Sequence, residues 1–122
     1  MSRRTDRLGG LFRSELADLI RSELRDPRIA GMISITRVDV SPDLENAKVY
    51  VSVLADEAEQ ASAMAALRHA APFLRRQLLA RVHIRKVPHL EFAEDHTIEE
   101  GARMLDLMRQ VAAEREGRSS DS

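Results

Sequence analysis

The side chains best suited to chemistry in this sequence are cationic, and they are clustered. From Ala61 to Leu90 the chain carries Arg68, Arg75, Arg76, Arg81, Arg85 and Lys86 without one Asp or Glu, and His69, His83 and His89 share the stretch. Phosphate binding is the chemistry such a run supports. Of the 19 Lys and Arg residues, 17 are Arg, whose planar guanidinium meets a phosphate through two parallel hydrogen bonds. A solvated surface with clustered charge is the bland alternative, and genome composition would produce the same arginine excess. Arg75 and Arg76 follow Pro72 within a turn and a half. A helix starting at Pro72 would point free N–H groups and a partial positive charge at an anion there. Arg81, His83 and Arg85 alternate opposite Ile84, which suits either a continued positive face or an edge strand protected by charge. Arg4 and Arg7 are weaker candidates of the same kind.

Other chemistries find less support. Glu91, Glu94, Asp95, Glu99 and Glu100 form an acidic block directly after the basic one. With His89 and His96 they invite a metal reading, but their spacing matches no His-Glu-x-x-His pattern, and Pro88 interrupts the segment that would present them. No metal site and no cofactor is expected. There is no cysteine, so disulfides, thiolate nucleophiles and cysteine-ligated metals are excluded. Serines are present without a Gly-x-Ser-x-Gly elbow, and no Walker-type phosphate loop occurs. No catalytic residue is nominated, and the protein is read as not an enzyme. With three Phe, one Tyr and no Trp, base stacking on an aromatic sheet is not expected. RNA recognition would rest on phosphate, backbone and shape.

The 122 residues allow one domain, large enough to bury a core unaided. The net charge of −1 seems to argue against nucleic acid, but it sums opposed blocks, and surface potential follows the blocks. No apolar run approaches the roughly 20 residues that cross a bilayer. The charged start Met1-Ser2-Arg3-Arg4-Thr5-Asp6-Arg7 lacks a following apolar signal segment. A soluble, cytoplasmic protein without membrane contact is expected.

The elements that must position these cations follow from periodicity. Leu8, Leu11, Phe12, Leu16, Leu19, Ile20 and Leu24 predict an amphipathic helix from about Arg4 to Arg25. Gly9-Gly10 weakens its first turns, and Pro27 stops it. Met32–Val40 reads as a strand whose inward parity changes between Ile33/Ile35 and Val38/Val40, predicting a bulge near Thr36 or Arg37. After a turn at 41–46, the alternation of Ala47, Val49, Val51 and Val53 predicts an antiparallel partner strand, with Tyr50 facing away from the core. Asp56–Ala70 is helical. Because Pro72 breaks an ongoing helix, two helices meeting at a kink of Ala70, Ala71 and Pro72 are expected. His83–Phe92 reads as a third strand, with Pro88 marking an edge or a second bulge. Ile98 to about Ala113 is a last helix, and 114–122 reads as a disordered tail because 114 onward lacks apolar residues. The order is α-β-β-α-kink-α-β-α, with 1–113 as the domain.

These stretches resemble bacterial ribosome-binding factor A. The resemblance is carried by Arg4 to Leu24, Asp26-Pro27-Arg28-Ile29, Val38-Asp39-Val40-Ser41-x-Asp43-Leu44 and Ala47-Lys48-Val49-Tyr50-Val51. It continues through Ala70-Ala71-Pro72-Phe73-Leu74-Arg75, Val87-Pro88-x-Leu90-x-Phe92 and Asp95-x-x-Ile98-x-x-Gly101, to about Leu107. It implies an α+β, KH-like type II domain in which an Ala-x-Gly kink replaces the usual Gly-x-x-Gly loop. Pro72 stands here where that family has glycine. The resemblance also implies a cytoplasmic assembly factor for the small ribosomal subunit. Such a factor binds small-subunit rRNA in immature particles, supports 5′-end processing and growth in the cold, and is monomeric when free. The phosphate contacts expected are Arg75, Arg76, Arg81, Arg85 and Lys86, with Arg4 and Arg7 behind them. The alternative is a protein–protein adaptor that docks through the acidic 91–100 block without touching RNA.

Overall fold

The computed structural model describes residues 3–24 and 33–120. The elements run α1 (Arg3–Glu23), β1 (Ile33–Val40), β2 (Asn46–Val53), α2 (Glu57–Arg81), β3 (His89–Glu94) and α3 (Thr97–Ser120). The Asp26-Pro27-Arg28-Ile29 stretch, and with it the expected stop at Pro27, lies outside the described residues.

The strands form one sheet in the order β1-β2-β3, with β1 antiparallel to β2 and β3 parallel to it. The parity change in β1 is met by a bulge. Ile35 pairs with Val51 and Arg37 with Tyr50, leaving Thr36 as the extra residue. The bulge returns Val38 to the inner face opposite Val49. Pro88, itself buried, sits just before β3, an edge strand of this sheet. Ala47, Val49, Val51 and Val53 of β2 bury their side chains against Phe12, Leu16 and Leu19 of α1 and Met64, Leu67, Leu74 and Leu78 of α2. Both helices therefore lie on one face. The other face carries Ser34, Arg37, Asp39, Lys48 and Tyr50, half-buried or exposed.

α1 lies unusually close to β1. A Cβ at Gly9 would stand 2.4 Å from the carbonyl oxygen of Val38, whereas one at Gly10 would meet nothing within 4 Å. Gly9 thus permits a contact that any side chain would block, and its cost in helix propensity is offset by that packing.

Three expectations are corrected. First, the two helices meeting at 70–72 are one helix, Glu57–Arg81, with Pro72 inside it. A proline there costs about 3 kcal/mol. Ala66 and Leu67 before it, and Leu74 and Leu78 after it, are buried on one core-facing side. At roughly 1.5–3 kcal/mol for each large apolar side chain buried, that packing outweighs the lost hydrogen bond. Asp56 caps the helix by accepting from the Glu59 N–H at 2.8 Å. Second, residues 83–88 are not strand. Val82 closes α2, with its N–H on the Leu78 carbonyl. Ile84 N–H turns back to the Val82 carbonyl at 2.9 Å, and Pro88 has no N–H to extend a ladder backward. Third, the tail expected from residue 114 continues α3 to Ser120. Ala112-Ala113-Glu114-Arg115-Glu116 are mostly strong helix formers, and a helix already nucleated extends through such residues without tertiary contact.

Candidate nucleic-acid interface

Three pieces of chain converge at the exposed end of α1. The first is α1 itself, where Thr5 and Gly9 face inward and Arg3, Arg4 and Arg7 are exposed. The second is the turn between β1 and β2. Ser41 Oγ lies 2.6 Å from Asp43 Oδ1 and accepts the Asn46 N–H at 3.0 Å. Asp43 Oδ1 also accepts the Glu45 N–H at 3.0 Å, and the Leu44 N–H reaches the Ser41 carbonyl at 2.9 Å. These donors, the Ser41 hydroxyl foremost, hold the Asp43 carboxyl below its ordinary range. The turn places Leu44 at φ 61°. For a leucine that left-handed geometry costs roughly 1–2 kcal/mol.

The third piece is the connector 83–88. The Arg75 guanidinium donates from Nε to the Val87 carbonyl at 3.0 Å, and Val87 and Pro88 are buried. The His89 N–H donates to the Glu45 carbonyl at 2.9 Å, and Lys86 Nζ is paired with the Glu45 carboxylate. The connector is thereby fastened to α2 on one side and to the β1–β2 turn on the other.

Between these pieces lies an open groove of about 710 Å³, lined by Arg3, Arg4, Arg7, Leu8, Leu44, Ile84, Arg85 and Lys86. A shallower depression of about 270 Å³ follows, lined by Pro72, Arg75, Arg76, Leu79, Arg85, Lys86 and Val87. Arg85 and Lys86 belong to both, and no carboxylate lines either one. Six of the seven expected cations therefore form one band, drawn from α1, α2 and the connector. Its potential is that of closely spaced positive charges with one local counter-charge, Glu45.

Arg81 does not join the band. It is the last residue of α2, and its Nη1 lies 2.5 Å from Asp18 Oδ2 and 3.4 Å from Glu15 Oε2 of α1. The bond to Arg81 lowers the Asp18 carboxyl, and the two acids raise the Arg81 guanidinium. Its charge is spent on joining two helices. The expected alternation of Arg81, His83 and Arg85 along a strand fails for the same reason that 83–88 is not strand. Arg3, Leu8, Leu44 and Ile84 were missed. Arg3 could have been read from its i, i+4 relation to Arg7, while nothing local marks Leu44.

The acidic block does not make a uniform docking face. Asp95 accepts the Thr36 hydroxyl at 2.6 Å, the Thr97 N–H at 2.9 Å and the Thr97 hydroxyl. These bonds, that from Thr36 the largest, hold its carboxyl at about 2. Glu94 lies 3.3 Å from His96. On the open sheet face, the Arg37 guanidinium sits 4.3 Å above the ring of Tyr50 and 3.2 Å from Asp39. Among the described residues, no group of three or more His, Asp or Glu could hold a metal ion, and no helix is long and apolar enough to cross a membrane.

Known proteins share this arrangement. The ribosome-binding factor A family model matches residues 4–108. Ribosome-binding factor A of Acetivibrio thermocellus is 41% identical over 114 residues, covering 93% of each chain. The crystal structure of ribosome-binding factor A from Thermus thermophilus aligns at a TM-score of 0.65 and 31% identity, over 74% of this chain and 94% of that one. The Thermus thermophilus factor fitted into a cryo-EM map of a 30S complex aligns at a TM-score of 0.61 and 31% identity, over 71% of this chain and 90% of that one. The α+β arrangement is KH-like, as in these structures.

Proposed function

The chain belongs to the ribosome-binding factor A family, and from that premise we propose that it is a single-domain assembly factor for the small ribosomal subunit. It binds immature subunits in the cytoplasm through small-subunit rRNA and supports late maturation of that RNA, including 5′-end processing and growth in the cold. It makes and breaks no bond itself. A related factor seated on a 30S particle supports the choice of partner. The observation that carries the RNA contact is the band itself. Arg4, Arg7, Arg75, Arg76, Arg85 and Lys86 come from three separated segments yet line two adjoining depressions without a carboxylate among their lining residues. Phosphates are the ligands that such a surface favours.

The test is cosedimentation with small-subunit precursors over a salt series. Arg75→Glu with Arg76→Glu should weaken association, and each phosphate contact removed should flatten the log–log salt slope by about 1. Arg81→Ala should leave binding and slope unchanged once folding is checked, because its guanidinium is held by Asp18 and Glu15. A folded double variant that cosediments like the wild type rules the band out. The adaptor reading has no matching surface here, since Asp95 and Glu94 of the acidic block are engaged within the fold.

A further inference from the structure

The larger of the two depressions has a floor that phosphate binding does not need. Leu8, Leu44 and Ile84 are half-buried in it, and Arg3, Arg4, Arg7, Arg85 and Lys86 surround them. Leu8 and Ile84 also pack against the core on their inner sides. Leu44 belongs neither to the core nor to the side chains packed on it. Its left-handed backbone at φ 61° is held by the Ser41 and Asp43 hydrogen bonds, and glycine or asparagine would sit there with less strain. A leucine kept in that geometry, outside the core, contributes an apolar surface to the groove.

From this we propose that the groove receives an unpaired nucleobase, so that the RNA it takes is single-stranded, held by its flanking phosphates. The inference rests on the RNA-binding role proposed above and names the form of RNA at one part of that surface. The charge complementarity is direct: five cations and no carboxylate line a groove with an aliphatic bottom. A duplex presents sugar and phosphate outward and keeps its base faces stacked inside, which would leave Leu8, Leu44 and Ile84 against water. An unpaired strand offers both the phosphates for the rim and a base for the floor. With no aromatic side chain in the lining, the base is held by aliphatic contact. The groove does not include residues 70–72, so it is separate from the place where KH-like domains carry their loop.

The full chain is titrated with three short RNAs at several salt concentrations: an unpaired 12-mer, the same strand with abasic sites, and its 12-base-pair duplex. The intact single strand should bind about tenfold tighter than the abasic strand, with a similar margin over the duplex. Leu44→Gly relieves the backbone strain and keeps every cation. It should bring the intact strand to within about threefold of the abasic one while leaving the salt slope unchanged. Leu44→Met, which retains an apolar side chain, should restore the preference. Thermal melts confirm that each variant folds. Equal, salt-dependent binding of all three RNAs by the wild type overturns the nucleobase site and leaves the phosphate band standing. Loss of all three RNAs alike in folded Leu44→Gly assigns Leu44 a structural role and also overturns it. If no RNA binds but an acidic polypeptide does, both readings fall.

Discussion

Leu16 and Leu107 are the same residue type on exposed-to-core extremes of this chain. Leu16, on α1, is fully buried among Phe12, Leu19 and the β2 valines, while Leu107 on α3 remains 55% exposed. The contrast is general: the helices over the sheet bury their apolar stripes, whereas every residue described from Glu100 to Gly117 is exposed. α3 also has the stripe, with Met104, Leu107, Met108 and Val111 at helical spacing. An apolar period thus makes a helix in both regions, but only a facing layer converts it into stability.

The difference is broken most directly by one substitution made twice. Leu16→Ala should cost about 2–5 kcal/mol in urea unfolding, while Leu107→Ala should stay within about 0.5 kcal/mol. Equal losses would mean that α3 packs on the body in solution. A smaller pair sharpens the account of the body. Gly9→Ala should cost about 1–3 kcal/mol through the clash with the Val38 carbonyl. Gly10→Ala, with open space at its Cβ, should stabilise by about 0.5–1 kcal/mol through helix propensity. The junction between the two regions gives the smallest effect. Asp95 links the β1 bulge through Thr36 to the start of α3 through Thr97. Its carboxyl is held at about 2, against an ordinary 3.8. A depressed carboxyl stabilises the fold when ionised, so its contribution is present above about pH 4 and is lost as pH falls toward 2. Melting of the wild type followed across that window should fall more steeply than that of Asp95→Asn, which should already be less stable at pH 7. Parallel curves would remove Asp95 from the junction.

Much of the fold was legible because its signals are local. The parity change from Ile35 to Val38 demanded an extra residue, and Thr36 is that residue. Alternation along 47–53 identified β2, and its buried side is the one predicted. The failures share a cause. Pro72 breaks an isolated helix, but Ala66, Leu67, Leu74 and Leu78 bury one continuous side beneath it. Ile84 has the parity of Leu90 and Phe92 without joining their strand, because Val82 and Pro88 bound an irregular connector. Of the candidate site, the cation types and most of their positions could be read from the missing acids. The floor could not, since Leu44 looks like any turn leucine until its φ is known.

Residue order by itself determined which segments alternate or repeat, where the bulge falls and where positive charge accumulates, because each depends on near neighbours in the chain. Which cations remain available was decided by tertiary structure alone. Arg81 and Arg85 are nearly adjacent in sequence. The packing of α2 against α1 gives Arg81 to Asp18, 63 positions away, and the connector leaves Arg85 lining the groove with Arg4 and Arg7. A guanidinium's partner is set by distances of a few ångströms, which chain separation does not encode.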